Sequence, residues 1–177
     1  LNSHDTARAA TVMIDGGQQL GAVLMFTLPG VPVVFAGDEF GLKGDNGEFS
    51  RTPMPWTDPG RILADLRSTY SALTALRREQ PALTGGGIRW LHAQGDALAF
   101  VRETAEDAVL VVVTRAAAHV DLTEGLLSGR QLAALAQPPA YAVGDISAAP
   151  EAASAIIGSG GPAAAVWVLP GVVLPAP

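Results

Sequence analysis

The run Val31-Pro32-Val33-Val34-Phe35-Ala36 is apolar, rich in β-branched side chains and free of period-two alternation. A strand with one wet face alternates; a strand buried on both faces does not. The run is therefore expected to form a strand covered on both sides, as in a parallel α/β sheet. Pro32 is tolerable near the start of such a strand. Gly37-Asp38-Glu39 then falls at its carboxyl end, where parallel α/β folds place their chemistry.

What flanks the run sets the rest of the expected architecture. Upstream, Asp15-Gly16-Gly17 argues against one continuous helix from Thr6 to Thr27. Leu20, Val23, Leu24 and Phe26 keep helical spacing from Gln18 onward, and Pro29-Gly30 ends that helix. Downstream, Phe40 to Gly60 is a long polar loop broken by Gly and Pro, and ordered loops of this length usually carry function. Asp58-Pro59 is expected to start a second helix, with Leu63, Leu66, Tyr70, Leu73 and Leu76 as its apolar stripe and Pro81 as its end. The character changes at Gly85-Gly86-Gly87. Strand-like segments follow at Ile88–His92, Ala97–Glu103, Val109–Thr114, His119–Leu122 and Ala165–Leu169, with turn signals between them. The Ala/Gly/Pro/Ser-rich stretch from Gln137 to Pro162 is expected to include loose loops. The expected division is an α/β part over residues 1–84 and an all-β part over 85–177.

Composition narrows the function. With 177 residues, 49% hydrophobic and 16% charged, the chain can bury a real core. A net charge of -6 with 11 scattered Lys and Arg leaves no basic face for nucleic acid or an anionic membrane. Apolar runs stop well short of a membrane span. The absence of Cys removes disulfides and thiolate metal sites. No signal peptide is visible, and location is left unknown with the cytoplasm slightly favoured. Because the chain opens on Leu1 rather than Met, it reads as the later piece of something longer, and export stays open.

Asn2-Ser3-His4-Asp5-Thr6 places a carboxylate, an imidazole and further polar side chains on consecutive positions just before an apolar run. Such a cluster can serve a polar ligand. It can also serve as a helix cap, with Asp5 accepting backbone N–H bonds and His4 exposed. Asp38-Glu39 suggests a carboxylate pair. Neighbouring strand residues point to opposite faces, however, so hydrogen bonding beneath a site is the expected role.

Three segments together resemble the α-amylase superfamily, glycoside hydrolase family 13. Asn2-Ser3-His4-Asp5-Thr6-Ala7-Arg8 resembles its conserved stretch after barrel strand seven, with Ala7 where many members have Pro. Gly30-Val31-Pro32-Val33-Val34-Phe35-Ala36-Gly37-Asp38-Glu39 resembles its strand-eight motif. Arg51-Thr52-Pro53-Met54-Pro55-Trp56 resembles the following loop of α-glucosidases and neopullulanase-like members. The resemblance implies the last two βα units of a (β/α)8 barrel over residues 1–84, followed by an antiparallel β-sandwich over 85–177. It implies that Asp5 is the catalytic carboxylate that stabilises the transition state, and that His4 and Arg51 contact substrate. That substrate would be an α-glucan or oligosaccharide, with no cofactor and no metal. The family's nucleophile and acid/base follow earlier strands. Retaining glycosidases need those two carboxyl groups about 5–5.5 Å apart, so this stretch alone is expected to be inactive without the preceding barrel. The rival reading is a non-catalytic module whose β segments bind glycans or a partner.

The remaining polar and aromatic residues have plainer expected roles. Asp45-Asn46-Gly47-Glu48 lacks the alternating ligands of a calcium loop. Trp56 is expected to anchor its loop, Trp90 and Trp167 to pack in the core, and His92 and His119 to be structural or at the surface.

Overall fold

The computed structural model describes residues 1–58, 60 and 62–171. Helices α1 (Ala9–Val12), α2 (Gly17–Thr27), α3 (Ala64–Glu79) and α4 (Pro81–Gly85) precede strands β1 (Gly87–Gln94), β2 (Ala97–Glu103), β3 (Asp107–Thr114) and β4 (Ala118–Thr123). Helix α5 (Gly129–Ala134) and strands β5 (Tyr141–Val143), β6 (Ile146–Pro150), β7 (Ser154–Ser159) and β8 (Ala163–Pro170) complete the order. All pairings are antiparallel. One sheet runs β1-β2-β3-β8-β5 and a smaller one runs β4-β7-β6.

The central strands β2, β3 and β8 are buried almost throughout. Their side chains alternate between two separate cores. Phe100, Val109, Val111, Val113, Ala164 and Val166 meet Leu20, Val23 and Phe26 of α2 and Leu66, Tyr70 and Leu73 of α3. The intervening Ala99, Val101, Leu110, Val112, Ala165 and Trp167 meet Val120 and Leu122 of β4, Ile157 of β7 and Leu132 of α5. Covering both faces is what lets Val109 to Val113 run without a polar residue inside an antiparallel sheet. Each large side chain buried this way contributes about 1.5–3 kcal/mol.

The break at Asp15–Gly16 falls where expected, between α1 and α2, with Gly16 in the left-handed region at φ 75°. Helix α3 carries its stripe through Leu66, Tyr70, Leu73 and Leu76, all buried. It starts at Ala64 rather than at Asp58; Pro59, the expected first residue, lies outside the described residues. Pro81 both follows α3 and opens α4, where its missing N–H costs nothing.

Three expectations are corrected. Val31–Ala36 forms no strand, because no described segment lies alongside to pair with it. Val31 is 87% and Val33 70% exposed, the reverse of the expected burial on both faces. The run is pinned instead by arginines at its margins: Arg77 Nη2 donates to Gly30 O (2.6 Å) and Arg8 Nη1 to Ala36 O (2.8 Å). Residues 137–162 hold β5, β6 and β7, strands that the expectation for this stretch omitted, with loops left between them. Tyr141, Val143, Ile146, Ile156 and Ile157 favour strands but are set among small residues in runs of only three to six, and pairing with β8 and β4 completes the strands. Trp90 is half exposed and packs against Phe100 with centroids 5.1 Å apart, whereas Trp167 is buried as expected.

Helix α5 was also unforeseen, although Ser128-x-x-Gln131 is a legible start signal. The Ser128 hydroxyl accepts from Gln131 N and Gln131 Oε1 accepts from Ser128 N, a reciprocal capping box.

Candidate active site

The site is assembled from three segments distant in sequence. The first is a turn closed by its own hydroxyls: Ser3 N donates to Thr6 Oγ1 (3.0 Å) and Asp5 N to Ser3 Oγ (3.3 Å). These bonds leave the Asp5 carboxylate free to project. Arg51 Nη2 donates to Asp5 Oδ1 (3.1 Å), Arg51 Nε donates to His4 O (3.2 Å), and His4 Nε2 stands 3.1 Å from Asp5 Oδ2. The structure thus brings together His4, Asp5 and Arg51. The carboxylate is held by side chains and does not cap a helix; α1 begins after Arg8, with no side-chain cap.

Gly47 closes the loop onto this turn. A Cβ at Gly47 would stand 2.9 Å from the Asp5 backbone, a distance no side chain tolerates. Within the same loop, Asn46 Oδ1 accepts from Glu48 N and Phe49 N. The Asp45–Glu48 stretch is therefore an Asx turn, its side-chain oxygen turned to its own backbone.

Beneath the exposed cluster lies a buried one. Arg8 Nη1 donates to Asp38 Oδ1 (3.0 Å), Arg8 Nε to Ser50 O (3.0 Å), and its guanidinium covers the Phe35 ring at 3.9 Å. Asn2 Nδ2 donates to the same Asp38 oxygen (3.1 Å), and Gln18 Nε2 to Asp38 O (2.8 Å). Asp38 and Glu39 sit on a 3-10 turn over Asp38–Phe40 rather than on a strand. Asp38 points inward, while Glu39 folds back to accept from Gly37 N (2.8 Å). Gly37 has φ 98°, a conformation that favours glycine. Neither carboxylate reaches Asp5.

The two ion pairs differ in energetic weight. The Arg51–Asp5 side chains are 58% and 65% exposed, and such pairs contribute about 0–1 kcal/mol. The Arg8–Asp38 side chains are 2% and 3% exposed, and breaking a buried pair by removing one partner costs about 3–5 kcal/mol. The exposed pair adds little to stability, whereas the buried pair holds the backbone beneath it.

Tyr70 borders the buried cluster. Burial pushes its phenol above the ordinary range, and the Asp38 and Glu39 charges add to this while the Gln18 hydrogen bond opposes it. Arg8, Asn2 and Gln18 were missed by sequence reasoning as site residues. Asn2 and Arg8 do bound the first of the three family-like segments, which is the signal that could have found them. Trp56 meets Phe40 edge-on at 6.1 Å yet is 76% exposed, so it anchors its loop by one edge only. An apolar groove of about 780 Å³ runs between Met13, Leu20 and Leu24 on one side and Ala97 and Leu98 on the other; it holds none of His4, Asp5 and Arg51.

No family model matches the sequence. The chain is 36% identical over 118 residues to a cyclomaltodextrinase of Bacillus sp, an alignment covering 64% of this chain and 21% of that protein. It is 34% identical over 119 residues to neopullulanase 2 of Thermoactinomyces vulgaris, covering 64% of this chain and 20% of that protein. The chain therefore spans only a small part of the length of these relatives. In fold it resembles the α-amylase from Geobacillus thermoleovorans solved with acarbose, with a TM-score of 0.77, 19% identity, and coverage of 96% of this chain and 38% of that one.

Proposed function

Given that this chain is a relative of α-amylase-family glycoside hydrolases, we propose that it is the C-terminal portion of a retaining enzyme that cleaves α-glucosidic bonds of α-glucans or oligosaccharides. Residues 1–84 would complete a (β/α)8 barrel and residues 85–177 would form the β-sandwich behind it. The observation that carries the reading is the Asp5 carboxylate, which is exposed and held by Arg51 and His4 above the buried Arg8–Asp38 pair.

The proposed chemistry follows from charge. Cleavage of a glycosidic bond through an oxocarbenium-like state places positive charge on the sugar ring. A fixed carboxylate beside the ring attracts that state more strongly than the neutral substrate, which is the condition for lowering the barrier. Asp5 would supply this attraction, with His4 and Arg51 orienting it and contacting the same sugar. Nucleophile and acid/base would come from sequence preceding residue 1, so activity belongs to the whole protein.

The test is turnover of maltooligosaccharides by the full gene product that contains these residues. Asp5→Asn should lower kcat by at least about a hundredfold, the scale seen when one preorganised electrostatic group is removed. Wild-type kcat in that variant would overturn the role given to Asp5.

A further inference from the structure

Resting on this reading of Asp5, we propose that Arg8 is a positioning residue that sets the Asp5 carboxylate against Arg51. One side chain reaches all three segments of the site. Arg8 lies three residues after Asp5 and bonds the carbonyl of Ser50, the residue before Arg51. It also bonds Asp38 Oδ1 and Ala36 O, and its own N–H donates to Gly44 O (2.8 Å). The exposed Arg51–Asp5 pair is too weak to bring residues 2–8 and 44–51 together, so their register is set by the buried guanidinium. Its planar fork matters beyond its charge. A lysine donates from a single nitrogen, whereas here Ser50 O is served from Nε and Ala36 O and Asp38 from Nη1, two separate positions on the fork.

Hydrogen exchange followed by mass spectrometry on the 177-residue chain tests this. Amides in both segments are hydrogen-bonded in the native state, among them Arg8 N, Ser50 N and Phe49 N. Arg8→Lys should speed exchange in residues 2–8 and 44–51 at least tenfold while β2 and β3 keep wild-type protection. Arg51→Ala should leave both segments within twofold of wild type. The proposal is overturned if Arg8→Lys leaves both segments protected. It is equally overturned if Arg8→Lys loosens β2 and β3 to the same degree, or if Arg51→Ala loosens the segments as much. Asp38→Asn, which keeps shape but removes the buried charge, should loosen the same segments and decides the matter if Arg8→Lys fails to fold. In the full gene product Arg8→Lys should also lower kcat on maltooligosaccharides at least tenfold with KM within twofold of wild type, and a kcat within twofold of wild type overturns the positioning role; a failure of the role given to Asp5 shows separately, as wild-type kcat in Asp5→Asn.

Discussion

Arg77 of α3 and Arg102 of β2 converge on the final turn of α2. Arg77 donates to the carbonyls of Phe26, Leu28 and Gly30, and Arg102 to that of Thr27. The last carbonyls of a helix have no partners within it. Here two buried cations supply them, each with its pKa pushed below the ordinary guanidinium range by desolvation, and Arg102 also by the charge of Arg77. Arg102 further binds the carbonyls of Gly86 and Gly87, and so ties α2 to the start of the sheet.

Arg102→Met should therefore destabilise the chain by about 3 kcal/mol, because it leaves buried carbonyls without donors. Urea denaturation followed by circular dichroism measures this. A loss below about 0.5 kcal/mol would mean that water reaches those carbonyls.

The exposed Val31 and Val33 predict self-association of the isolated chain. An apolar run with unpaired backbone groups is a template for another strand. Val31→Lys with Val33→Lys should lower the scattering mass at high concentration and leave the circular dichroism spectrum unchanged. A wild-type chain that stays monomeric throughout would refute this.

Tyr70 and Tyr141 each have a phenol pKa raised chiefly by burial, with the Thr69 bond to Tyr141 acting against it. A raised folded-state pKa favours the protonated form. That stabilisation is complete below the unfolded value of about 10 and is lost as pH rises through the folded one. Stability should fall above about pH 10, and Tyr70→Phe should flatten the fall. An unaltered slope in that variant would remove Tyr70 as its source.

Gly47→Ala should displace the Asp5 turn, since the added methyl meets main-chain atoms that have little room to yield. We expect a stability loss of about 1–2 kcal/mol and shifted amide resonances from His4 to Thr6. Unshifted resonances there would show that the loop, rather than the turn, gives way.

Local pattern explains which elements were legible. Helix α3 could be read from Leu66, Tyr70, Leu73 and Leu76, and β2 matches its expected span at both ends. Both have strong side chains at the period of their own element. Strands β6 and β7 could not be read that way: Ser147, Ala148, Ala149, Ser154 and Gly158 carry little preference, and pairing supplies it. Asp38 and Glu39 make hydrogen bonds, as expected, but from a 3-10 turn rather than from the expected strand.

Residue order alone marked the helical first part and the strand-rich second part, because those follow from spacing along the chain; His4, Asp5 and Arg51 entered as candidates only through the resemblance of their motifs. Folding decided the rest. Arg8 meets Asp38 across 30 positions, and Arg102 meets Thr27 across 75. No periodicity encodes such pairs, because burial selects them once the elements pack. Val31–Ala36 marks the boundary: its apolar pattern asks for cover on both faces, but cover comes from neighbouring segments, and among the described residues none lies beside it.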